Sequence, residues 1–352
     1  MLLSGTFAPC RVACSGSTNR LQKAVQPAFI SLKHSRERSR AYSTDQSPPP
    51  RRSRLSLGIA ATVLAAGVSG LYYLNQPDAP VLAPDRWTPV KVIAVEQLTR
   101  DTSLLRINVP KSTLPTVLTQ DPDAQPILSL YVKEPTLQIQ RAYTPLSASC
   151  FNPDGSATLE LVVKRYRDGE VSRYLHRLGP GDELSIRAPS VTWYYRPKDW
   201  DQVVFIAGGT GVTPAYQLIH DSLESQPSSR PSPTLSLLYA SASPAQMFLQ
   251  PQLDAFLSSG ARASPLSIRY QVDSNPEGAR LAPNMHVGKI DRKVLQEVVG
   301  TRDPSKKKVI VICGPEGMIN ALAGPRGRNF SQGRVGGILK ELGYSEHEVV
   351  KL

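Results

Sequence analysis

The stretch VVFIAGGTGVTPAYQLIHDSLES, Val203 to Ser225, decides the fold. Val203 to Ala207 is apolar without a break, the pattern of a strand buried on both faces of a parallel sheet. Gly208-Gly-Thr-Gly-Val-Thr-Pro214 follows it directly. Glycine lets the backbone approach a phosphate closely and take positive φ. Pro214 suits the first turn of a helix, predicted over Pro214 to Ser225. The start of such a helix offers free N–H groups and a positive dipole end to an anion. Strand, loop and helix together predict a dinucleotide held at Gly208, Gly209, Thr210 and Gly211. A tight turn with no ligand is the other reading, because the loop has neither the GxGxxG spacing nor the lysine of a phosphate-binding P-loop.

Downstream the same rhythm repeats. Leu235 to Tyr239 and Val309 to Cys313 read as buried strands, and Ala245 to Leu257 and Gly317 to Leu322 as helices. Strands alternating with helices predict a parallel sheet with crossover helices over residues 198–352. Ser225 to Pro233 is polar and reads as a loop. Cys313-Gly-Pro-Glu-Gly-Met318 again follows an apolar strand. Gly314 and Pro315 break that strand and leave Cys313 at the carboxyl edge, where open α/β sheets bind ligands. A small buried hydrophobe is the other reading of Cys313.

Upstream, residues 90–197 are short-stranded and punctuated by turns. Val90 to Val95, Leu104 to Val109, Ile127 to Val132, Leu159 to Lys164 and Glu183 to Arg187 read as strands. Asn152 to Gly155, Asp168-Gly169 and Gly179 to Asp182 read as turns. Such a series predicts a barrel or sandwich. Residues 110–126, with four prolines, read as a loop. Within this region Arg141-Ala-Tyr-Thr-Pro-Leu-Ser147, if extended, sets Arg141, Tyr143 and Ser147 on one face. An arginine fork suits a pyrophosphate, a tyrosine ring can lie on a flat heteroaromatic system, and the hydroxyls of Thr144 and Ser147 can bond phosphate or ring edges. A solvent-facing strand with no ligand carries the same residues.

The chain before residue 90 is of another kind. Residues 1–42 hold seven Lys/Arg and one acidic residue, Glu37, among many Ser and Ala. That is the composition of a mitochondrial transit peptide, and Arg40-Ala41-Tyr42-Ser43 resembles its processing site, with a cut expected after Tyr42; a disordered basic tail with no address is the other reading. Leu55 to Leu74, LSLGIAATVLAAGVSGLYYL, carries no charge. As a helix it spans roughly 30 Å, a bilayer core. Arg51, Arg52 and Arg54 precede it, which predicts a matrix-side N-terminus and a folded part in the intermembrane space. A buried alanine-rich helix is the competing reading. Residues 75–89, with four prolines, read as a tether.

Charge follows this division. Of the net +12, residues 1–84 contribute ten Lys/Arg against three Asp/Glu, and the rest 31 against 26. Basicity concentrated in the leader is explained better by targeting than by nucleic-acid binding, which would put a basic stripe on the folded part. The four cysteines form neither a zinc spacing nor a disulfide framework, so no metal site is expected.

The three motifs around Arg141, Gly208 and Cys313 lie about 70 and about 100 residues apart. In this order they resemble the ferredoxin–NADP reductase superfamily, most closely its NADH-cytochrome b5 reductase branch. The resemblance covers about residues 88–352. It includes Val163-Lys-Arg-Tyr166, Gly169-Glu-Val-Ser172, Gly181-Asp182, Leu237-Leu-Tyr239 with Leu249-x-x-x-Leu253, and Leu339 to Tyr344 followed by Lys351-Leu352. The ending resembles fungal mitochondrial members. The resemblance implies an antiparallel Greek-key FAD-binding barrel followed by a nucleotide-binding α/β domain. It implies FAD held by Arg141, Tyr143, Thr144, Ser147, Lys164, Tyr166, Gly169, Val171 and Ser172. It implies NADH or NADPH cradled by Gly208 to Gly211, with Thr213 and Pro214 near the flavin and with Cys313, Gly314, Pro315 and Met318 positioning the nicotinamide. No side chain is expected as a covalent catalyst.

Such an oxidoreductase would pass electrons to a haem protein: cytochrome b5, or cytochrome c or its haem lyase. The second alternative corresponds to the fungal inner-membrane flavoprotein that assists haem attachment to cytochrome c, chiefly in an assembly role. Three positions depart from the family pattern. Glu170 stands where a basic residue is usual, Ala188-Pro189 where Gly-Pro is usual, and Leu352 where most relatives end in an aromatic residue. Ser241-Ala-Ser243, after the second strand of the sheet, carries no charge to choose between NADH and NADPH. The resemblance places the protein in the mitochondrial inner membrane, or else the outer.

Overall fold

The computed structural model describes residues 82–110, 124–147, 156–224, 233–258, 265–300 and 302–352. The transit peptide, the apolar stretch Leu55 to Leu74, most of the tether, the turn at Asn152 to Gly155 and Cys10, Cys14 and Cys150 lie outside these residues. Among the described residues no helix is long and apolar enough to cross a membrane.

The first part is a six-stranded antiparallel sheet: β1 (Thr88–Thr99), β2 (Thr102–Val109), β3 (Gln125–Lys133), β4 (Gln140–Tyr143), β5 (Ala157–Lys164) and β6 (Glu183–Tyr195). The spatial order is β4-β3-β6-β1-β2-β5. One short helix, α1 (Glu170–Leu175), lies between β5 and β6. β1 shows why these residues pair: Thr88, Val90 and Val92 are buried and Pro89, Lys91 and Ile93 exposed, the period of two that a half-buried strand requires. The sheet curls until its ends meet, because the Leu146 amide just after β4 donates to the Glu160 carbonyl of β5 at 3.0 Å. The result is barrel-like, with Leu105, Ile107, Val132, Leu161 and Ile186 sealed inside. β1 begins inside the stretch read as tether: Thr88 is buried and pairs with Ile186.

The second part is a parallel sheet ordered β10-β9-β8-β7-β11-β12. Its strands are β7 (Gln202–Gly208), β8 (Thr234–Ser241), β9 (Leu266–Val272), β10 (Met285–Val287), β11 (Lys308–Cys313) and β12 (Val349–Lys351). Helices α2 (Val212–Glu224), α3 (Gln250–Ser258), α4 (Arg292–Val299), α5 (Glu316–Ala323) and α6 (Gly337–Glu341) connect them. β7 and β11 are buried almost throughout, as their unbroken apolar runs predict. α4 is amphipathic and closed at both ends: Asp291 accepts from the Val294 amide at 2.8 Å, and Gly300 ends it at φ 69°.

The third helix differs from the reading of Ala245 to Leu257. The chain first makes a 3-10 turn at Pro244–Gln246 and passes Leu249 at φ 62°, and α3 starts only at Gln250. Phe248 and Leu249 are buried in the core, so burial bends the chain there. Pro251 then sits in the first turn of α3, where proline is preorganised.

Candidate functional site

The chain leaves β7 toward β8 on one side, while β11 flanks β7 on the other. Strand order reverses between β7 and β11, so the crevice outside their carboxyl ends is the place where such sheets bind ligands. Cys313, the last residue of β11, lies beside Ala207 of β7. The loops leaving the two strands therefore start side by side.

They also pack against each other, and glycine makes that possible. A Cβ on Gly208 would lie 2.7 Å from the Met318 sulfur and 3.0 Å from Pro315. A Cβ on Gly314 would lie 3.0 Å from the Gly208 nitrogen, and one on Gly211 would run into the Cys313 carbonyl group. Close approach of chain to chain thus occupies Gly208, Gly211 and Gly314. This packing is a second demand on glycine beside the phosphate approach expected from the sequence, and Gly208, Gly211 and Gly314 also line the cavity at this edge. Gly209, at φ 54°, has open space where its Cβ would be. The Thr213 hydroxyl donates to the Thr210 carbonyl at 3.1 Å and tightens the turn.

A cavity of about 570 Å³ lies between this edge and the barrel-like sheet. From the parallel sheet it is lined by Gly208, Thr210, Gly211, Thr213, Pro214, Cys313, Gly314 and Pro315. From the antiparallel sheet it is lined by Arg141, Tyr143, Thr144, Lys164, Tyr166, Gly169, Val171 and Ser172. Sixteen of the nineteen residues singled out in the sequence share this one cavity. Gly209, Met318 and Ser147 do not line it. Met318 stands behind Gly208 and Gly314, and the Ser147 hydroxyl turns away to donate to Asp221 at 3.2 Å. The sequence reading missed Ile139, Ala142, Val162 and Asp168 on the wall, while Glu170, singled out as a departure from the family pattern, lies on it. Asp168 was read only as part of a turn, where a lone acidic residue carried no signal of a site.

The chemistry of the wall is divided. Arg141 is exposed and donates to the Gln140 carbonyl at 2.8 Å; no carboxylate among the described residues pairs with it. Lys164 is tied to Asp101 at 3.5 Å. Glu170 is not a bare charge at the cavity: its carboxylate accepts from Arg173 at 3.2 Å. The Ser172 hydroxyl is spent inside its own loop, accepting from the Tyr166 amide at 3.1 Å and donating to the Gly169 carbonyl at 2.9 Å. What residues 170–172 present is backbone: first-turn N–H groups with no acceptor within the helix. Burial, with Tyr166 adding to it, holds the Tyr143 phenol well above its usual range against the pull of Arg141, so it stays neutral.

These residues fit an FAD and a nicotinamide dinucleotide. The volume lies in the usual range for cofactor clefts. One wall carries a guanidinium with no carboxylate partner among the described residues, first-turn amides for phosphate and a half-buried tyrosine for a ring. The opposite wall carries a carboxyl-edge glycine turn.

Burial pushes the Cys313 thiol up to about 11, with Arg326 opposing. It is therefore a neutral, weakly nucleophilic thiol, unsuited to covalent catalysis. Alkylation of the Cys313 peptide by iodoacetamide at pH 8 should run roughly 100-fold slower than that of an unperturbed cysteine and climb as pH rises toward 11. Peptide-resolved mass spectrometry over a pH series checks this. A fast, pH-flat reaction would show an ionised Cys313.

The geometry agrees with what known proteins share with this chain. Residues 89–195 match the family model described as Oxidoreductase FAD-binding domain, and residues 205–323 the one described as Oxidoreductase NAD-binding domain. NADH-cytochrome b5 reductase 2 of Scheffersomyces stipitis is 30% identical over 304 residues, covering 85% of this chain and 96% of that protein. The NADH-cytochrome b5 reductase-like protein of Arabidopsis thaliana is 32% identical over 308 residues, covering 84% and 87%. Among solved structures, the cytochrome b5 reductase domain of Ulva prolifera nitrate reductase superposes with a TM-score of 0.55 at 23% identity, over 78% of this chain and all of that one; this likeness supports the fold. The two family matches fall one on each wall of the cavity, and the relatives extend across both; the chain belongs to the NADH-cytochrome b5 reductase family of FAD- and NAD-binding oxidoreductases.

Proposed function

We propose that the protein takes hydride from NADH at this cavity and delivers electrons to a haem protein of the cytochrome b5 type. The observation that carries this reading is the meeting of Arg141 and Tyr143 with Gly211, Thr213 and Cys313 around one cavity. Bound FAD supplies the chemistry: it accepts a hydride and releases its electrons singly. The chain supplies alignment. Arg141 and the backbone of residues 170–172 hold the pyrophosphate. Lys164, Tyr166 and Gly169 shape the wall around it, while Tyr143 and Thr144 keep the ring in place. Gly208 to Gly211 bring the second dinucleotide to the carboxyl edge. Thr213, Cys313 and Gly314 close one side of the ring contact and keep water from it. Glu170 does not oppose the pyrophosphate, because Arg173 offsets its charge.

NADH is proposed over NADPH because the relatives this chain matches are named NADH-cytochrome b5 reductases; the uncharged Ser241-Ala-Ser243 turn favours neither. A second acceptor, cytochrome c or its haem lyase, rests on the resemblance to the fungal flavoprotein that assists haem attachment to cytochrome c. Purified protein supplied with NADH and either cytochrome b5 or cytochrome c separates these. Rapid reduction of b5 supports the reading, preference for cytochrome c supports the second, and reduction of neither refutes both. The transit peptide, the span at Leu55 to Leu74 and an inner-membrane, intermembrane-space location (the outer membrane being the alternative) are proposed from sequence alone. Release by alkaline carbonate would refute the anchor.

A further inference from the structure

α2 starts directly from the Gly208–Gly211 turn, and it is buried on nearly all sides. Val212, Ala215, Leu218 and Ile219 belong to the core packed with the parallel sheet. The spacing of Thr213, Gln217 and Asp221 puts these three on one helix face. Thr213 lines the cavity. Gln217, 1% exposed, accepts from the Leu128 amide at 2.7 Å and donates to the Leu128 carbonyl at 3.3 Å and the Pro145 carbonyl at 2.8 Å. Asp221 accepts from Ser147.

Leu128 lies at a break in the β3–β6 ladder, where the register shifts between Ile127 and Leu128. Gln217 therefore serves backbone groups at an irregular point of the barrel-like sheet. Through Pro145 it also grips the segment that carries Arg141, Tyr143 and Thr144. A single amide thus joins the helix rooted in the nicotinamide-facing turn to the strand end that bears the flavin-facing tyrosine.

We infer that Gln217 is a positioning residue: it sets the separation of the two cavity walls, and hence the distance from nicotinamide to flavin, without touching either. The inference rests on the hydride-transfer reading above. Misplacement by about 1 Å from a remote change can cost roughly 100-fold in rate. A leucine keeps the volume and removes all three hydrogen bonds, leaving the Leu128 and Pro145 groups buried without partners.

The test compares wild type with Gln217→Leu and Gln217→Glu, the second able to accept from Leu128 but not to donate. Anaerobic flavin reduction by NADH should fall about 10- to 100-fold in Gln217→Leu, while FAD content and the Kd for NAD⁺ change less than threefold. Hydrogen exchange at the Leu128 amide should accelerate in Gln217→Leu and stay slow in Gln217→Glu, a difference independent of turnover. Should Gln217→Leu fail to fold, Gln217→Glu decides: a fall in hydride rate with Leu128 still protected supports the role of the Pro145 contact. Folded variants reduced within twofold of wild type overturn this inference alone. Wild-type protein that binds no FAD overturns the reading of the site, and this inference with it.

Discussion

A Gly211→Ala protein is expected to lose roughly 3 kcal/mol of stability, a fall of about 6–12 °C in Tm for a folded part of this size. The added Cβ would be built against the Cys313 carbonyl and 2.8 Å from the Gly314 nitrogen. These are backbone atoms at the end of β11, a strand buried between β7 and β12. No rotamer change relieves the contact, so the two loops must separate and open the carboxyl edge. Gly209→Ala is the control. Its φ of 54° makes alanine strained, but nothing lies within 4 Å of the new Cβ, and the cost should be about 1–2 kcal/mol. Calorimetry of the two variants compares packing with strain directly. Equal losses would mean that the loop–loop contact at Gly211 does not hold the site closed.

Arg141→Ala is expected to weaken FAD binding by roughly 10- to 150-fold, the cost of about 1.5–3 kcal/mol in hydrogen bonding to a charged group. Arg141 is a cation on the cavity wall with no carboxylate partner among the described residues. Its removal therefore frees no buried acid and breaks no ion pair, and stability should hold. Lysine keeps the charge but loses the planar fork, so Arg141→Lys should fall between. Flavin-fluorescence titration of the apoprotein reads all three. Unchanged FAD affinity in Arg141→Ala would place the pyrophosphate elsewhere. Loss of Lys164 should matter less, because Asp101 already holds its ammonium.

The parts legible in the sequence share a physical cause. β7 and β11 were readable because burial on both faces forbids polar residues, leaving apolar runs that stop at Gly208 and Cys313. The glycines after them marked the cavity edge, although three of them serve the contact between loops. β9 and α4 went unread. β9 holds Arg269 and Gln271 among its apolar residues, and these are paired with Glu297 and the Gly288 carbonyl; tertiary partners, invisible in one strand's pattern, make them tolerable. α4 is mostly polar on the surface and owes its start to a single capping aspartate. Ser147 was assigned to a ligand because a hydroxyl near a motif looks available. Its partner, Asp221, is distant in sequence and only folding shows it. The i, i+4, i+8 series Thr213, Gln217 and Asp221 was present in the sequence, yet without the barrel-like sheet opposite it had nothing to face.

On the proposed reading, one FAD occupies the cavity between the two sheets, with Tyr143 on one side and the Gly208–Gly211 turn on the other. The most direct measurement is the visible spectrum of the purified protein after incubation with FAD and removal of the excess, followed by anaerobic NADH. A yellow protein with about one flavin per chain, bleached by NADH, is the predicted result. A protein that stays colourless, or a bound flavin that NADH leaves unchanged, would contradict the account.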